Sequence, residues 1–331
     1  MGTGLLTRTQ QSDEQPTPWD KNTNVVDVLH AWGEPYPSNR PADLSEQRIE
    51  MGRSLILEGT YKSKNGTNAR RQSRFFICTN CHNMEKEDPD LRISDPEARL
   101  DFALQNGLPL LQGTTMYGTV NKVSWYNGDY YKKYGDLVRP AQNSLEAAIQ
   151  LCAEVCSQGR RLSDDEMQSA LAYFWSLQLK MGDLTLTDAD WEKVRTAGEG
   201  SNPEMITWLK TFYLQGSPAT FIEVPESKKV GYATERKADA ARGKAIYNIS
   251  CRTCHSPSGP SNYLNLNHDN LSLGLLRRHI THTGHLGLYD IIRHGTYADK
   301  GHRAYMPHYT LERMSNEQVE DIRAYVEQGP M

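Results

Sequence analysis

The pentapeptides CTNCH at residues 78–82 and CRTCH at residues 251–255 decide how this chain is organised. In both, two cysteines stand three positions apart and a histidine follows the second cysteine directly. This pattern is typical of covalent haem attachment, because two thiols so spaced form thioethers with the haem vinyl groups while the imidazole meets the iron. The attachment residues would be Cys78, Cys81 and His82 in the first haem motif and Cys251, Cys254 and His255 in the second. We therefore predict two covalently bound haem c groups.

A structural zinc site built from both cysteine pairs is the main alternative to haem. Zinc ribbons separate their two pairs by roughly 15–20 residues, whereas Cys78 and Cys251 lie in opposite halves of the 331-residue chain. A dithiol redox pair would need a βαβ setting, which the sequence does not suggest. Haem attachment is therefore the favoured interpretation of both motifs.

Further from the haem motifs, the chain repeats itself. Residues 161–174 (RLSDDEMQSALAYF) and 313–326 (RMSNEQVEDIRAYV) match at Arg, at Leu or Met, at Ser and at Ala-Tyr. Ser163 and Ser315 are good N-caps, acidic residues follow them, and apolar residues recur at helical spacing. Each segment therefore predicts a helix that closes a domain.

A second repeated element precedes each haem motif. Residues 45–59 (SEQRIEMGRSLILEG) and 238–250 (ADAARGKAIYNIS) are both helical runs with an internal glycine, Gly52 in one and Gly243 in the other. Because glycine costs helix stability, its presence there indicates close packing against another element. Two shorter helices are predicted at 94–107, with Ser94 or Asp95 as cap, and at 286–295.

The order of opening helix, haem motif, irregular region and closing helix thus occurs twice. We predict an all-α fold with two tandem class I cytochrome c-like domains whose haems are wrapped by long irregular loops. The predicted divisions are a disordered leader (1–24), an N-terminal cytochrome domain (25–180), a linker that packs on both domains (181–236) and a C-terminal cytochrome domain (237–331).

The second haem has a candidate distal ligand in a Met-Pro dipeptide shortly before the last predicted helix. This segment resembles the distal-ligand loop of small class I cytochromes c, and the resemblance makes His255 and Met306 the axial pair. Thioether ligation suits an electron-transfer haem held at raised potential. The alternative is that Met306 belongs to the core and that His302 or His308 binds the iron.

For the first haem, the N-terminal half has no Met-Pro dipeptide before its closing helix. Two cysteines, Cys152 and Cys156, lie in the corresponding region. On a helix, residues four apart share one face, so either thiol can be the metal ligand but only one can hold the iron. A thiolate lowers the potential of a haem relative to methionine. The alternative is that both cysteines are small buried hydrophobic residues.

Composition excludes several classes of protein. The hydrophobic fraction is 37%, mean hydropathy is −0.68 and no long apolar run is present, so we predict no membrane span. A net charge of −4 gives no general affinity for nucleic acid.

Covalent haem attachment normally follows export, so we expect a periplasmic protein. Because residues 1–24 lack the sustained apolar stretch of a secretory signal, we expect a mature or re-engineered start.

The sequence resembles the diheme thiosulfate dehydrogenases and, more distantly, the haem-bearing A subunit of the bacterial Sox complex. The resemblance runs from WGEP (32–35) through the first haem motif and the Ile-x-x-Cys element at 149–152 to the first closing helix, and resumes in the second haem domain. It implies that His82 and Cys152 ligate the first haem, where the sulfur chemistry occurs. Methionine on the second haem favours the dehydrogenases over the Sox subunit.

Two features depart from the family pattern. Cys156 stands where the dehydrogenases are expected to have serine, which makes it a second reactive thiol or an alternative ligand. The insert at 118–140 is longer than the versions typical of the family, and this leaves the sulfur substrate open.

The resemblance implies oxidation of thiosulfate to tetrathionate, which releases two electrons and so suits two one-electron haems. A dianionic substrate needs cationic partners, and the candidates near the ligand segment are Lys122, Arg139 and Arg160. The expected acceptor is a soluble redox partner, such as another cytochrome c or a small redox protein. Two alternatives stay open: a diheme electron carrier without substrate chemistry, and a Sox-type subunit that conjugates thiosulfate to a carrier protein.

Overall fold

The computed structural model describes residues 19–63, 65–282, 286–296 and 306–329. Within these ranges the chain is helical and contains no β-strand; two isolated bridges join Asn24 to Lys180 and Lys62 to Asn68. The α-helices are α1 (Val25–Ala31), α2 (Glu46–Glu58), α3 (Pro96–Asn106), α4 (Tyr131–Tyr134), α5 (Leu145–Leu151), α6 (Asp164–Ser176), α7 (Asp188–Ala197), α8 (Pro203–Leu209), α9 (Ala240–Ile249), α10 (Cys251–Cys254), α11 (Asn270–His279), α12 (Leu288–His294) and α13 (Asn316–Gln328). The predicted all-α class is confirmed. In the described ranges no helix has the length and apolarity needed to cross a membrane.

Both halves are built on the same helix crossing. The opening helix α2 packs on the closing helix α6, and α9 packs on α13 in the same way. At each crossing the glycine of the opening helix meets the backbone of the closing helix: a Cβ on Gly52 would overlap the Ser169 carbonyl, and one on Gly243 would overlap that of Asp321. The two glycines therefore permit the close approach that the sequence indicated.

Replacing either crossing glycine with alanine is expected to destabilise the protein. The added methyl group has no room against the opposing carbonyl, and overpacking of this kind costs about 1–3 kcal/mol. Gly274→Ala in α11 is the matched control, because the nearest atom to the added carbon is the flexible end of Arg278 at 4.0 Å. The control should lose nothing and gain up to about 1 kcal/mol of helix propensity. Urea unfolding of Gly52→Ala, Gly243→Ala and Gly274→Ala measures the difference, and equal stabilities would refute it.

Helix ends follow local sequence signals. Ser163 and Ser315 each accept a hydrogen bond from the backbone three residues on and form capping boxes, with Glu166 and Gln318 respectively. Asp95 caps α3, Pro96 occupies its first turn, and Gly107 ends it with a φ of +67°. The predicted caps Ser163 and Ser315 are confirmed, and of the two predicted caps of α3, Ser94 or Asp95, the structure has Asp95.

The predicted linker has a hydrophobic core of its own. The part from Met181 to Tyr213, which includes α7 and α8, packs with α1, and Trp32 is fully buried at this contact. The later part of the linker crosses to the C-terminal half, where the Tyr232 amide donates to the Glu320 carboxylate at 2.8 Å. The linker thus contacts both halves.

Of the predicted leader, residues 1–18 lie outside the described residues, while 19–24 are held by hydrogen bonds. Asp20 closes a turn with Thr23, and the next residue after the leader, Val25, donates its amide to the Leu179 carbonyl at 2.9 Å. The segment before α1 is therefore anchored to the end of the N-terminal domain.

Helix α3 joins the two halves, although it belongs to the N-terminal domain by sequence. Leu100 and Ala103 lie in the hydrophobic core of the C-terminal half. The α3 side chain Glu97 also forms an ion pair with Arg242 of α9 at 2.5 Å. The C-terminal core is therefore completed by a helix from the first half.

Candidate functional site

The first haem motif forms a tight turn in which the histidine ring is held from one side. Cys78–Asn80 is a 3₁₀ turn, and the His82 amide donates to the Cys78 carbonyl at 3.0 Å. His82 Nδ1 hydrogen-bonds the Thr114 carbonyl oxygen at 2.6 Å. The adjacent Gly113 has no side chain, and a Cβ at that position would overlap the imidazole. The loop at 113–114 is therefore shaped around this ring.

The second haem motif repeats this arrangement. Cys251–Cys254 is one helical turn, and the His255 amide donates to the Cys251 carbonyl at 2.9 Å. His255 Nδ1 hydrogen-bonds the Leu264 carbonyl oxygen at 3.1 Å. In both motifs a backbone carbonyl thus engages Nδ1, which leaves Nε2 as the nitrogen available to a metal.

Each motif lines a cavity of its own. The N-terminal cavity, which contains Cys78, Cys81 and His82 in its lining, encloses about 1450 Å³ including its open mouth. The C-terminal cavity, lined by Cys251, Cys254 and His255, encloses about 630 Å³ on the same measure. Apolar side chains such as Ile149 and Phe174 in the first and Ile292 and Ile322 in the second form much of the walls. Both cavities thus lie beside their attachment residues and have largely apolar walls, as cofactor pockets do.

These residues fit covalently attached haem. Burial raises the pKa of Cys78 and of Cys251 to about 11, so both thiols are held protonated in an apolar wall rather than poised as free nucleophiles. Burial also lowers the pKa of both His82 and His255, which keeps each imidazole neutral as metal ligation requires. In each motif the two thiols would hold the haem through thioether links, and Nε2 of the fixed imidazole would be available to its iron.

The distal-ligand cysteines of the N-terminal half lie together in the cavity lining. Helix α5 passes into a π-helical turn, Cys152–Cys156, and a π turn within a helix is often found at a functional site. The pKa of Cys152 is raised by a hydrogen bond with the Cys156 thiol and by burial. The structure thus brings both candidate thiols to one cavity, and either remains a candidate iron ligand.

The segment after residue 305 serves both cavities. Met306 lines the C-terminal cavity together with His255, and its backbone pairs with Thr296 through a carbonyl-to-amide bond of 2.9 Å. His308, the alternative ligand considered for the second haem, lines the N-terminal cavity instead. His302 lies outside the described residues. Among the described candidates, Met306 is therefore the one that faces the second haem motif.

The three predicted substrate cations do not gather at one place. Lys122 lines the N-terminal cavity. Arg139 is a surface residue whose guanidinium pairs with Asp136 at 2.8 Å, with 69% of its side chain exposed. Arg160 is engaged by Glu166 at 2.5 Å and by the Arg70 carbonyl at 2.7 Å. Proximity in sequence to the ligand segment was therefore misleading for both arginines, because local carboxylates hold them away from the cavity.

The long insert of the N-terminal half supplies an aromatic wall. Trp125, Tyr126, Tyr130 and Tyr134 all line the N-terminal cavity. The rings of Tyr126 and Tyr130 pack edge to face with centroids 4.7 Å apart. The insert at 118–140 thus forms part of the site, and it also carries Lys122.

The two cavities adjoin each other. Cys81, Gln112 and Pro307 line both cavities. Cys254 Sγ lies 3.8 Å from the Asn80 carbonyl oxygen, so the attachment turns of the two motifs are in contact. Sequence reasoning gave no sign of this contact, because no local pattern encodes which faces of two domains meet.

A buried ion cluster lies between the halves and behind the first haem motif. Glu87 binds Arg313 through two hydrogen bonds of 2.5 and 3.1 Å and lies 3.6 Å from Arg99. Arg313 also donates to the Gly113 carbonyl at 2.6 Å, and Glu87 accepts the Thr115 amide at 2.8 Å. The cluster therefore fixes both ends of the loop that holds His82. The sequence offered a weak signal, since Arg313 repeats Arg161.

Comparison with known proteins bears on the second half of the chain. No curated protein matches the sequence. Residues 238–326 match the family model described as cytochrome c oxidase, cbb3-type, subunit III, and this range contains the second haem motif and Met306. The C-terminal part of the chain is therefore a cytochrome c domain, a kind of domain that binds haem covalently.

Proposed function

We propose that this protein is a periplasmic diheme cytochrome c that oxidises thiosulfate to tetrathionate in the N-terminal cavity and passes the electrons through the C-terminal haem to a soluble redox partner. The observation that carries the proposal is the lining of the N-terminal cavity. There the thiols of Cys152 and Cys156 and the ammonium group of Lys122 share the walls with His82. A pure electron relay has no need of a cation and a second thiol beside its axial ligands.

A haem at the first, N-terminal motif is supported by the repeated geometry of the two motifs. His82 and His255 each bond a backbone carbonyl through Nδ1, and each directly follows a pair of cysteines that lines the same cavity. When attached, the haems supply one-electron acceptance at two centres, which matches the two electrons released by joining two thiosulfates. Ligation by His82 with Cys152, and by His255 with Met306, would give the two centres different potentials.

Cys152 is the residue proposed to react with sulfur. Because metal ligation favours the thiolate, Cys152 would form a disulfide bond with the outer sulfur of one thiosulfate, and the attached haems would accept the two electrons released. A second thiosulfate then attacks that outer sulfur, which forms tetrathionate and returns Cys152 as a thiolate. The sum is two thiosulfate dianions converted to one tetrathionate dianion and two electrons, so atoms and charge balance.

Lys122 is proposed to hold the negative charge of the substrate. Burial lowers its pKa from the ordinary lysine value, whereas Glu87 and Asp88 act in the opposite direction. A cation desolvated in this way interacts strongly with an anion that enters the cavity. The amine therefore favours a dianionic substrate over a neutral one.

The test uses protein matured with its haems, whose intact mass should exceed that of the bare chain by two haems. Thiosulfate added to the oxidised protein is expected to reduce the haem absorption bands, and tetrathionate should appear in the solution. An unchanged spectrum would refute the proposal and leave a diheme electron carrier, the second candidate, which the match of residues 238–326 to an oxidase subunit favours. Reduction without free tetrathionate would instead indicate a Sox-type conjugating subunit.

A further inference from the structure

We propose that His308 and Thr310, contributed by the C-terminal half, bind the oxyanion end of the substrate inside the N-terminal cavity. The inference rests on the proposed function for the identity of the anion, and it assigns the recognition of that anion to two residues with no part in haem attachment. Residues from both halves of the chain would then form the substrate site.

His308 and Thr310 lie where a ligand in the N-terminal cavity would meet them. Pro307, His308 and Thr310 line the N-terminal cavity, which also contains Cys152 and Lys122. This stretch of chain is held by hydrogen bonds to α12 on one side and to the turn before α13 on the other. The Tyr309 amide donates to the Ile292 carbonyl at 2.7 Å, and the Thr310 carbonyl accepts the Arg313 amide at 3.0 Å.

His308 and Thr310 each carry a buried polar atom that a ligand could pair with. His308 is 7% exposed and Thr310 is 4% exposed. Within the described part of the chain, His308 Nδ1 and Thr310 Oγ1 are buried and have no hydrogen-bond partner. Leaving such groups unpaired costs free energy, and a native structure normally avoids it unless a ligand completes the bonds. Two such atoms on one short segment indicate a ligand whose polar groups complete these hydrogen bonds.

Aromatic packing holds the His308 ring in place. Its centroid lies 4.3 Å from that of Phe221 and 6.3 Å from the centroids of Tyr130 and Tyr134. Phe221 comes from the linker and the two tyrosines come from the insert. An imidazole packed by three aromatic rings is a preorganised donor, and it loses little freedom when an anion binds.

The charge of the N-terminal cavity lining suits an anion. The described lining of the N-terminal cavity includes Lys122 and contains no aspartate or glutamate. An imidazole N–H, a hydroxyl and an ammonium group together suit an acceptor with several anionic oxygens, such as the sulfonate end of thiosulfate. The carboxylate of a haem propionate has the same hydrogen-bonding chemistry, so the experiment must separate the two sources.

The test compares haem-loaded wild type with His308→Phe, which keeps the aromatic packing, and with Thr310→Val, which keeps the shape and removes the hydroxyl. Thiosulfate is expected to raise the melting temperature of the wild type, and this rise should shrink in both variants, because ligand stabilisation follows affinity. In steady-state oxidation the KM for thiosulfate should rise by about tenfold or more with kcat little changed. His279→Phe, on the surface helix α11, is the control and should behave as wild type.

Each outcome decides the matter. An unchanged melting-temperature rise and KM in both variants would overturn the inference. Altered substrate-free haem potentials together with an unchanged KM would also overturn it and assign these donors to a propionate. If thiosulfate raises the melting temperature through His308 and Thr310 but does not reduce the haems, the anion site stands and the proposed oxidation falls.

Discussion

Cys152→Ala is expected to abolish tetrathionate formation and to erase the low-spin thiolate signature in the electron paramagnetic resonance spectrum of the oxidised protein. The substitution removes both the proposed ligand of the first haem and the sulfur that engages the substrate. Losing a covalent nucleophile typically costs roughly 10³-fold or more in turnover. The haem attachment residues are untouched, so the intact mass should still include two haems.

Cys156→Ala is the matched comparison, because this thiol lies in the same π-helical turn and lines the same cavity. It is expected to keep the thiolate signature and most of the activity, with a shifted haem potential because the hydrogen bond between Cys156 and Cys152 is lost. The opposite pattern, with the signature lost only in Cys156→Ala, would transfer both roles to Cys156. A signature that survives in both single variants would rule out thiolate ligation by one fixed cysteine.

Arg313→Met is expected to cost about 3–5 kcal/mol of unfolding free energy, because it leaves the Glu87 carboxylate buried without its closest partner. Burial alone would raise the pKa of Glu87, but the charges of Arg313 and Arg99 outweigh burial and hold it below the ordinary value. Stability from this cluster is therefore present above the unfolded pKa of glutamate and lost as the pH falls through the lower folded pKa. Denaturant unfolding at neutral pH measures the loss.

Arg161→Met is the control for Arg313→Met, because the two arginines occupy the same position in the repeated closing segments. Arg161 is 72% exposed and pairs with Glu154 at 3.3 Å. A surface pair of this kind contributes at most about 1 kcal/mol. Similar losses in both variants would show that the buried cluster adds nothing beyond a surface pair, and that the contact between the halves rests on apolar packing alone.

Features encoded by a few neighbouring residues were predictable from the sequence. The caps at Ser163 and Ser315, the bounds of α3 and the close approach at Gly52 all follow from local rules of helix formation and packing. The all-α class followed because these signals occur twice in the same order.

Features that depend on the meeting of distant segments were not predictable. The place of His308 in the N-terminal cavity depends on how the two halves dock, which no spacing in the chain records. The burial of Arg313 and the exposure of Arg161 differ for the same reason, since the two residues are equivalent in sequence. Arg160 failed as a substrate residue because the carboxylate that engages it, Glu166, is also the capping residue of α6.

The walls shared by the two cavities bear on how such a chain can evolve. Helix α3 completes the C-terminal core, and the segment at 307–310 completes the N-terminal cavity. Neither half is therefore structurally complete without the other. If the two halves were separated, each would have an incomplete cavity, and the buried ion cluster between them would become exposed. A protein built like either half alone is therefore expected to carry compensating residues at the positions where the other half contributes here.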